Sequence, residues 1–113
     1  MLPVAVDAMG GDQAPDVVVA GAQRAAAELG VPVVLVGDPD RFDPGDLEVL
    51  PASEVIEMGD DPATAVRQKK DASLNVAAKA VRDGLASAMV SAGNTGATMA
   101  AALLRMGRLK GVN

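Results

Sequence analysis

Cysteine, histidine, tryptophan and tyrosine are all absent from the 113 residues, and Phe42 is the single aromatic side chain. Without cysteine there is no disulfide, no thiolate nucleophile and no thiolate metal site, a composition that fits a reducing compartment. Without histidine the chain lacks the usual neutral-pH base and the commonest metal ligand. No Tyr or Trp is available to stack on nucleic acid bases, and a net charge of −5 opposes the phosphate neutralisation on which nucleic acid affinity depends. Chemistry in this chain is therefore left to Asp, Glu, Lys, Arg, Ser, Thr, Asn and the backbone.

What remains is a chain of one-domain length that is 50% hydrophobic, enough to build a core. Packing rests on Val, Leu, Ile, Met and many alanines, which suits helices laid closely on a sheet. The opening "MLPVAVDAMGG" has no basic segment ahead of its apolar residues, and Asp7 follows almost at once. It does not read as a secretion signal, and the expected location is the cytoplasm. Residues 84–104 carry no formal charge and are long enough to span a bilayer. Their centre, however, holds Ser91, Gly93, Asn94, Thr95 and Gly96, which would put turn-forming polar residues at the costliest depth. This segment is read instead as a buried strand, a loop and a helix.

Val4 to Asp7 is a short apolar run ending in an acid, as in a buried strand that reaches a polar edge. Gly10 and Gly11 loosen the following loop, Pro15 suits the first position of a helix and Asp16 complements its dipole. Val18, Ala22, Ala25 and Leu29 recur at helical spacing and define the expected buried face, with Gly30 as the stop. "VPVVLVGDPD" is a second strand ending in a turn, and residues 38–46 read as surface loop. Leu47–Leu50 and Glu54–Met58 can each be a short strand or an irregular edge. A helical piece is expected over Pro62–Lys69, and a longer helix with Ser73 as cap and Leu74, Ala77, Ala78, Val81 and Leu85 on one face, with Gly84 near its end. Ala88–Ala92 is the next strand and Thr95–Met106 the next helix.

This order predicts an α/β layered domain with a mainly parallel sheet. The last helix is uncharged until Arg105, so more than one of its faces should be covered, by cover that need not lie in this chain. Its Met99, Leu103 and Met106 stripe suits core or a subunit interface. Arg105, Arg108 and Lys110 complement the dipole at its C-terminal end. The sequence stops at Val112-Asn113, where another strand would begin, so a fragment of a longer α/β protein is expected.

Two loops carry the candidate chemistry, since ligands of open α/β sheets bind outside the carboxyl ends of the strands. In "SAGNTGATM", Gly93 and Gly96 let backbone N–H groups approach an anion, Asn94 and Thr95 add donors and the helix start adds partial positive charge. The same residues also describe a plain strand-to-helix turn capped by Asn94 or Thr95. In "VDAMGGDQAPD", Asp7 and Asp12 beside Gly10 and Gly11 can orient a cation, hold a hydrated metal ion or accept a proton, or simply cap turns. Lys69 and Lys70, next to Arg67, can supply charge to an anion site or form a solvated helix face.

Taken together, "VAVDAMGGDQAPD", "VIEMGDDPATAVRQKKDASL" and "VSAGNTGATMAAALLRMGRLKG" closely resemble the N-terminal part of the PlsX phosphate acyltransferases of bacterial phospholipid synthesis. The resemblance is weakest over Asp38–Ser53. It implies residues 1–113 as the opening portion of a single larger domain, a three-layer α/β/α sandwich akin to the phosphotransacetylase and isopropylmalate dehydrogenase group. It also implies a reaction in which inorganic phosphate attacks the thioester of an acyl carrier protein to give acyl phosphate. A homodimer, peripheral membrane association through a part of the family chain beyond this segment, and no metal or organic cofactor are further implications. On this reading Asn94 and Asp12 are the candidate catalytic residues. Asp7, Gly10, Gly11, Ser91, Gly93, Thr95 and Gly96 bind phosphate or substrate, with Lys69 and Lys70 as weaker candidates. The segment alone is expected to be inactive. Transfer between phosphate and coenzyme A, and a noncatalytic anion-binding module, are the alternatives.

Overall fold

Alternation along the strands divides the molecule into two apolar faces. In the computed structural model, which describes residues 2–106, β1 (Val4–Asp7), β2 (Val33–Gly37), β3 (Glu48–Pro51) and β4 (Ala88–Val90) form one sheet in the order β3-β2-β1-β4. Every pairing is parallel, with Val4 opposite both Val33 and Ala88. Parallel strands need crossover connections, and the helices that supply them cover the sheet from both sides. On one side α1 (Asp16–Leu29) sets Val19 and Ala22 against Leu35 and Ala8, with Val6, Val33 and Val49 beside them. On the other, α3 (Ser73–Arg82) lays Ala77 and Ala80 on Ala5 and Val36. Helices α2 (Pro62–Gln68) and α4 (Thr95–Ala101) pack with α3 around Val66, Leu74, Ala97 and Ala101. The three-layer α/β/α arrangement with a parallel sheet is thus the observed one.

Small residues make this close layering possible. Ala5, Ala72, Ala77, Ala78, Ala97 and Ala101 are all fully enclosed, so helix backbones approach the sheet and one another with little side chain between them. The expected stop of α1 holds. Gly30 closes α1 in the left-handed conformation at φ 66°, its N–H reaching Ala26 O. Asp61 caps α2 by accepting from Thr64 N, with Pro62 in the first turn. Glu48–Pro51 forms a strand, whereas Glu54–Met58 stays irregular apart from one parallel bridge between Glu54 and Ala72.

Four expectations are corrected. The buried face of α1 runs through Val19 and Ala22; Val18 and Ala25 are half-buried and Leu29 is 73% exposed. Periodicity cannot distinguish these neighbouring stripes, because α1 is apolar over more of its circumference than the sheet covers. Ser73 does not cap α3; Ala72 occupies the cap position and the Ser73 hydroxyl turns inward to Asp7. Leu85 is exposed rather than continuing the buried face, because α3 ends at Arg82. Met99 and Leu103 are exposed, so of the two readings of this stripe, core is excluded within the described residues and the subunit interface stays open. After Ala101 the helix widens into a π-helical turn, Ala102–Met106. The Met106 side chain, Arg108 and Lys110 lie outside the described residues, as does the expectation about Val112-Asn113. No described helix is long and apolar enough to cross a membrane.

Leu35 is fully enclosed, whereas Arg24 and Glu28 form an exposed pair. Leu35→Ala is expected to lower the free energy of unfolding by roughly 2–5 kcal/mol, and Arg24→Ala by no more than about 0.5 kcal/mol. Urea unfolding of the two variants checks the ranking, which equal losses would contradict.

Candidate functional site

The carboxyl ends of β1 and β4 lie side by side because the sheet order reverses there: β1 leads through α1 to β2 on one side, while the chain returns from β3 to place β4 on the other. Such a reversal point leaves a crevice above the strands. The glycine loops following β1 and β4 both emerge into it, and they touch. A Cβ on Gly10 would lie 2.7 Å from Asp7 Oδ2, 2.8 Å from Ser91 Oγ and 3.0 Å from Gly93 N. A Cβ on Gly93 would approach Gly10 Cα to 3.3 Å. Gly11, at φ 99°, rests against the Ala92 carbonyl. Gly10, Gly11 and Gly93 therefore lie where the two loops press on each other.

Asp7 holds that contact together. Its side chain is buried, and Oδ1 accepts from Met9 N at 3.1 Å and from Ser73 Oγ at 2.5 Å. Oδ2 accepts from Ser91 Oγ at 2.8 Å, and Ser91 Oγ accepts in turn from Gly93 N at 3.1 Å. One carboxylate thus joins the end of β1, the start of α3 and the β4 loop. Its oxygens face these donors, not the crevice.

Asn94 is similarly committed. Its Oδ1 caps α4 by accepting from Ala97 N at 3.1 Å, and its Nδ2 donates to the carbonyls of Glu57, Met58 and Asp60 at 3.1–3.2 Å. The side chain expected to offer a free donor instead clamps the start of α4 onto the 57–60 segment. Lys69 closes the same segment from behind, donating to Val55 O at 2.9 Å and Asp60 Oδ2 at 2.8 Å. That hydrogen bond holds the Asp60 carboxyl below its ordinary value, reinforced by the Glu57 N–H. The Thr64 contact at the α2 cap lowers Asp61 in the same way, and Ser53 lowers Asp71. Gly96 is a packing position, since a Cβ there would lie 2.7 Å from Pro62 Cγ. Thr95 is exposed at the start of α4, and Lys70 is exposed beyond α2.

An open cleft of about 450 Å³ adjoins this junction. Of the residues singled out in the sequence it collects Gly11 and Asp12; Ser91–Gly96, Lys69 and Lys70 do not line it. Its other walls are Met9, Ala14, Arg41 and the Val55–Gly59 segment, none of them marked as functional in the sequence. Arg41 reaches the cleft from the short 3₁₀ turn Pro39–Arg41 after β2, which Asp38 caps by accepting from Asp40 N. The available signal was its position one turn beyond a strand's carboxyl end. Among the described residues no group of three or more Asp or Glu side chains is placed to hold a metal ion.

A parallel sheet covered by helices on both faces defines an α/β protein, and the paired glycine loops at its reversal point mark the candidate site. The chain belongs to the fatty acid synthesis protein family, whose model matches residues 2–113. It is 52% identical to the phosphate acyltransferase of Acaryochloris marina over 97% of this chain and 34% of that protein. It is 50% identical to the phosphate acyltransferase of Heliobacterium modesticaldum, over 97% of this chain and 36% of that protein. A similar match is the Desulfitobacterium hafniense phosphate acyltransferase, 48% identical over 100% of this chain and 36% of that protein. The chain therefore spans about a third of the length of these relatives.

Asn94→Ala removes a helix cap and the bonds to three carbonyls, and is expected to cost roughly 2 kcal/mol or more in urea unfolding; a loss below about 0.5 kcal/mol would show the clamp to be idle. Because Asp60 titrates lower folded than unfolded, its pairing with Lys69 stabilises fully above about pH 4 and is lost as pH falls through the lowered value. The stability gap between the parent and Asp60→Asn should accordingly narrow in acid, and a gap that widens below pH ~4 would contradict the pairing.

Proposed function

We propose that this chain forms the opening part of an enzyme that moves a fatty acyl group from an acyl carrier protein thioester to inorganic phosphate, yielding acyl phosphate for phospholipid synthesis. The observation that carries the reading is the direct contact of the Gly10-Gly11 and Gly93 loops at the β1/β4 reversal point. The names of the relatives add the reaction class.

The absence of histidine and cysteine suits this chemistry. Phosphate is already anionic at neutral pH, so the site must position it and stabilise a tetrahedral oxyanion rather than generate a nucleophile. A phosphate oxygen attacks the thioester carbonyl carbon, the oxyanion collapses, the C–S bond breaks and the carrier leaves as thiol. The proton that the thiol acquires comes from the phosphate hydroxyl, with Asp12 at the edge of the cleft as the relay. The N–H groups of Thr95 and Gly96, which have no acceptor among the described residues, are donors for phosphate or the oxyanion. In this scheme Asp7, Ser91, Gly93 and Asn94 act as positioning residues that set the loops, and Lys69 holds the 57–60 wall. The exposed Met99, Leu103 and Leu104 face supports a homodimer contact, and peripheral membrane association at the inner face of the cell membrane belongs to the remainder of the family chain.

In the family-length protein, Asp12→Asn is expected to lower kcat by roughly 10²-fold with the urea midpoint unchanged. Acyl phosphate formed from carrier thioester and inorganic phosphate is the readout, and an unaltered rate would return Asp12 to turn capping.

A further inference from the structure

The geometry points to the cleft between the Gly11-Asp12 turn and the Val55–Met58 segment as the seat of the donor's phosphate-bearing arm, with Arg41 reading its phosphate ester. This inference rests on the acyl-transfer reading above and adds to it the recognition of the donor. Acyl thioesters, whether on a carrier protein or on coenzyme A, are held at the end of a flexible amide-containing arm that begins at a phosphate ester. Such an arm needs a channel that runs up to the reacting centre, tolerates a mostly neutral chain and offers one cation at its outer end.

The cleft offers one cation and touches the loop junction. At about 450 Å³ it is too large for a single phosphate, and at Gly11 and Asp12 it reaches the junction of the two loops. Its lining carries one cation, Arg41, against two carboxylates, Asp12 and Glu57. A ligand charged along its whole length would face that negative balance between its ends, whereas an arm with a neutral middle and one charged end places its charge at Arg41. The guanidinium of Arg41 enters no salt bridge or hydrogen bond among the described residues, so its donors stay available for bidentate phosphate contact. Along the opposite wall the N–H groups of Val55, Ile56 and Met58 have no acceptor among the described residues. That irregular edge suits an extended ligand bearing amides. The wall is fixed in place by the Asn94 and Lys69 bonds to its carbonyls.

The test uses the family-length protein and its Arg41→Gln and Arg41→Glu variants, with donor and inorganic phosphate varied separately. Acyl carrier protein thioester, acyl coenzyme A and an acyl pantetheine lacking the phosphate are compared as donors. Arg41→Gln should raise KM for phosphate-bearing donors about tenfold, and Arg41→Glu more, with kcat and KM for inorganic phosphate unchanged. The parent and both variants should use the phosphate-free donor equally poorly. Whichever phosphate-bearing donor the parent turns over shows which carrier presents the arm. A raised KM for inorganic phosphate, or an equal penalty on the phosphate-free donor, overturns the assignment while leaving the transfer reaction standing. No consumption of any thioester by the parent would remove both. Circular dichroism of the variants confirms that changes at this exposed turn leave the fold unaltered.

Discussion

The organisation of the site depends on one buried carboxylate. Asp7 ends β1 and receives donors from its own loop, from Ser73 at the start of α3 and from Ser91 after β4. A buried carboxylate is costly unless its oxygens are hydrogen-bonded, and here three donors supply that compensation. The same bonds bring three sequence-distant segments to a common point. The approach is so close that Gly10 has no space for a Cβ without displacing Asp7 or Ser91, and a Cβ on Gly93 would be tight against Gly10. Conformational freedom matters at Gly11, with φ at 99°; at Gly10 the requirement is space.

A second layer of bonds carries that rigidity outward. Asn94 spends its amide on the carbonyls of 57, 58 and 60 and its oxygen on the helix cap, while Lys69 pins Val55 and Asp60. Among the described residues the irregular segment after β3 has no sheet partner beyond its bridge at Glu54, so these side-chain bonds set its course. The cleft wall is therefore built by polar residues that read, in isolation, as ligands for an anion. Their role here is to hold backbone, which is the division of labour expected where reacting groups need fixed support.

Much of the fold was legible because it follows short-range rules. Short apolar runs that end at polar turns marked β1 and β2, Gly30 ended α1, and the order of elements required parallel strands with crossover helices. What escaped depended on long-range contacts. Ser73 carries the residue type of a cap, and only the position of Asp7, far away in sequence, shows that its hydroxyl faces inward. Leu29 has the right spacing for the buried stripe of α1, yet it stands 73% exposed at an open apolar groove that it shares with Val4, Val33 and Val90. Both glycine loops were visible as breaks in apolar runs, while their mutual contact depended on β4 adding beside β1 instead of beside β3. Arg41 was passed over as part of a surface loop, and its place in the cleft follows from where β2 ends.

The proposed anion site is shared by the two loops at the sheet's reversal point. Titration of the isotope-labelled family-length protein with inorganic phosphate, followed through backbone amide shifts, is decisive. Gly11, Asp12, Thr95 and Gly96 are expected to shift together along a single binding curve. Shifts confined to another surface, or a response in one loop with the other silent, would contradict it.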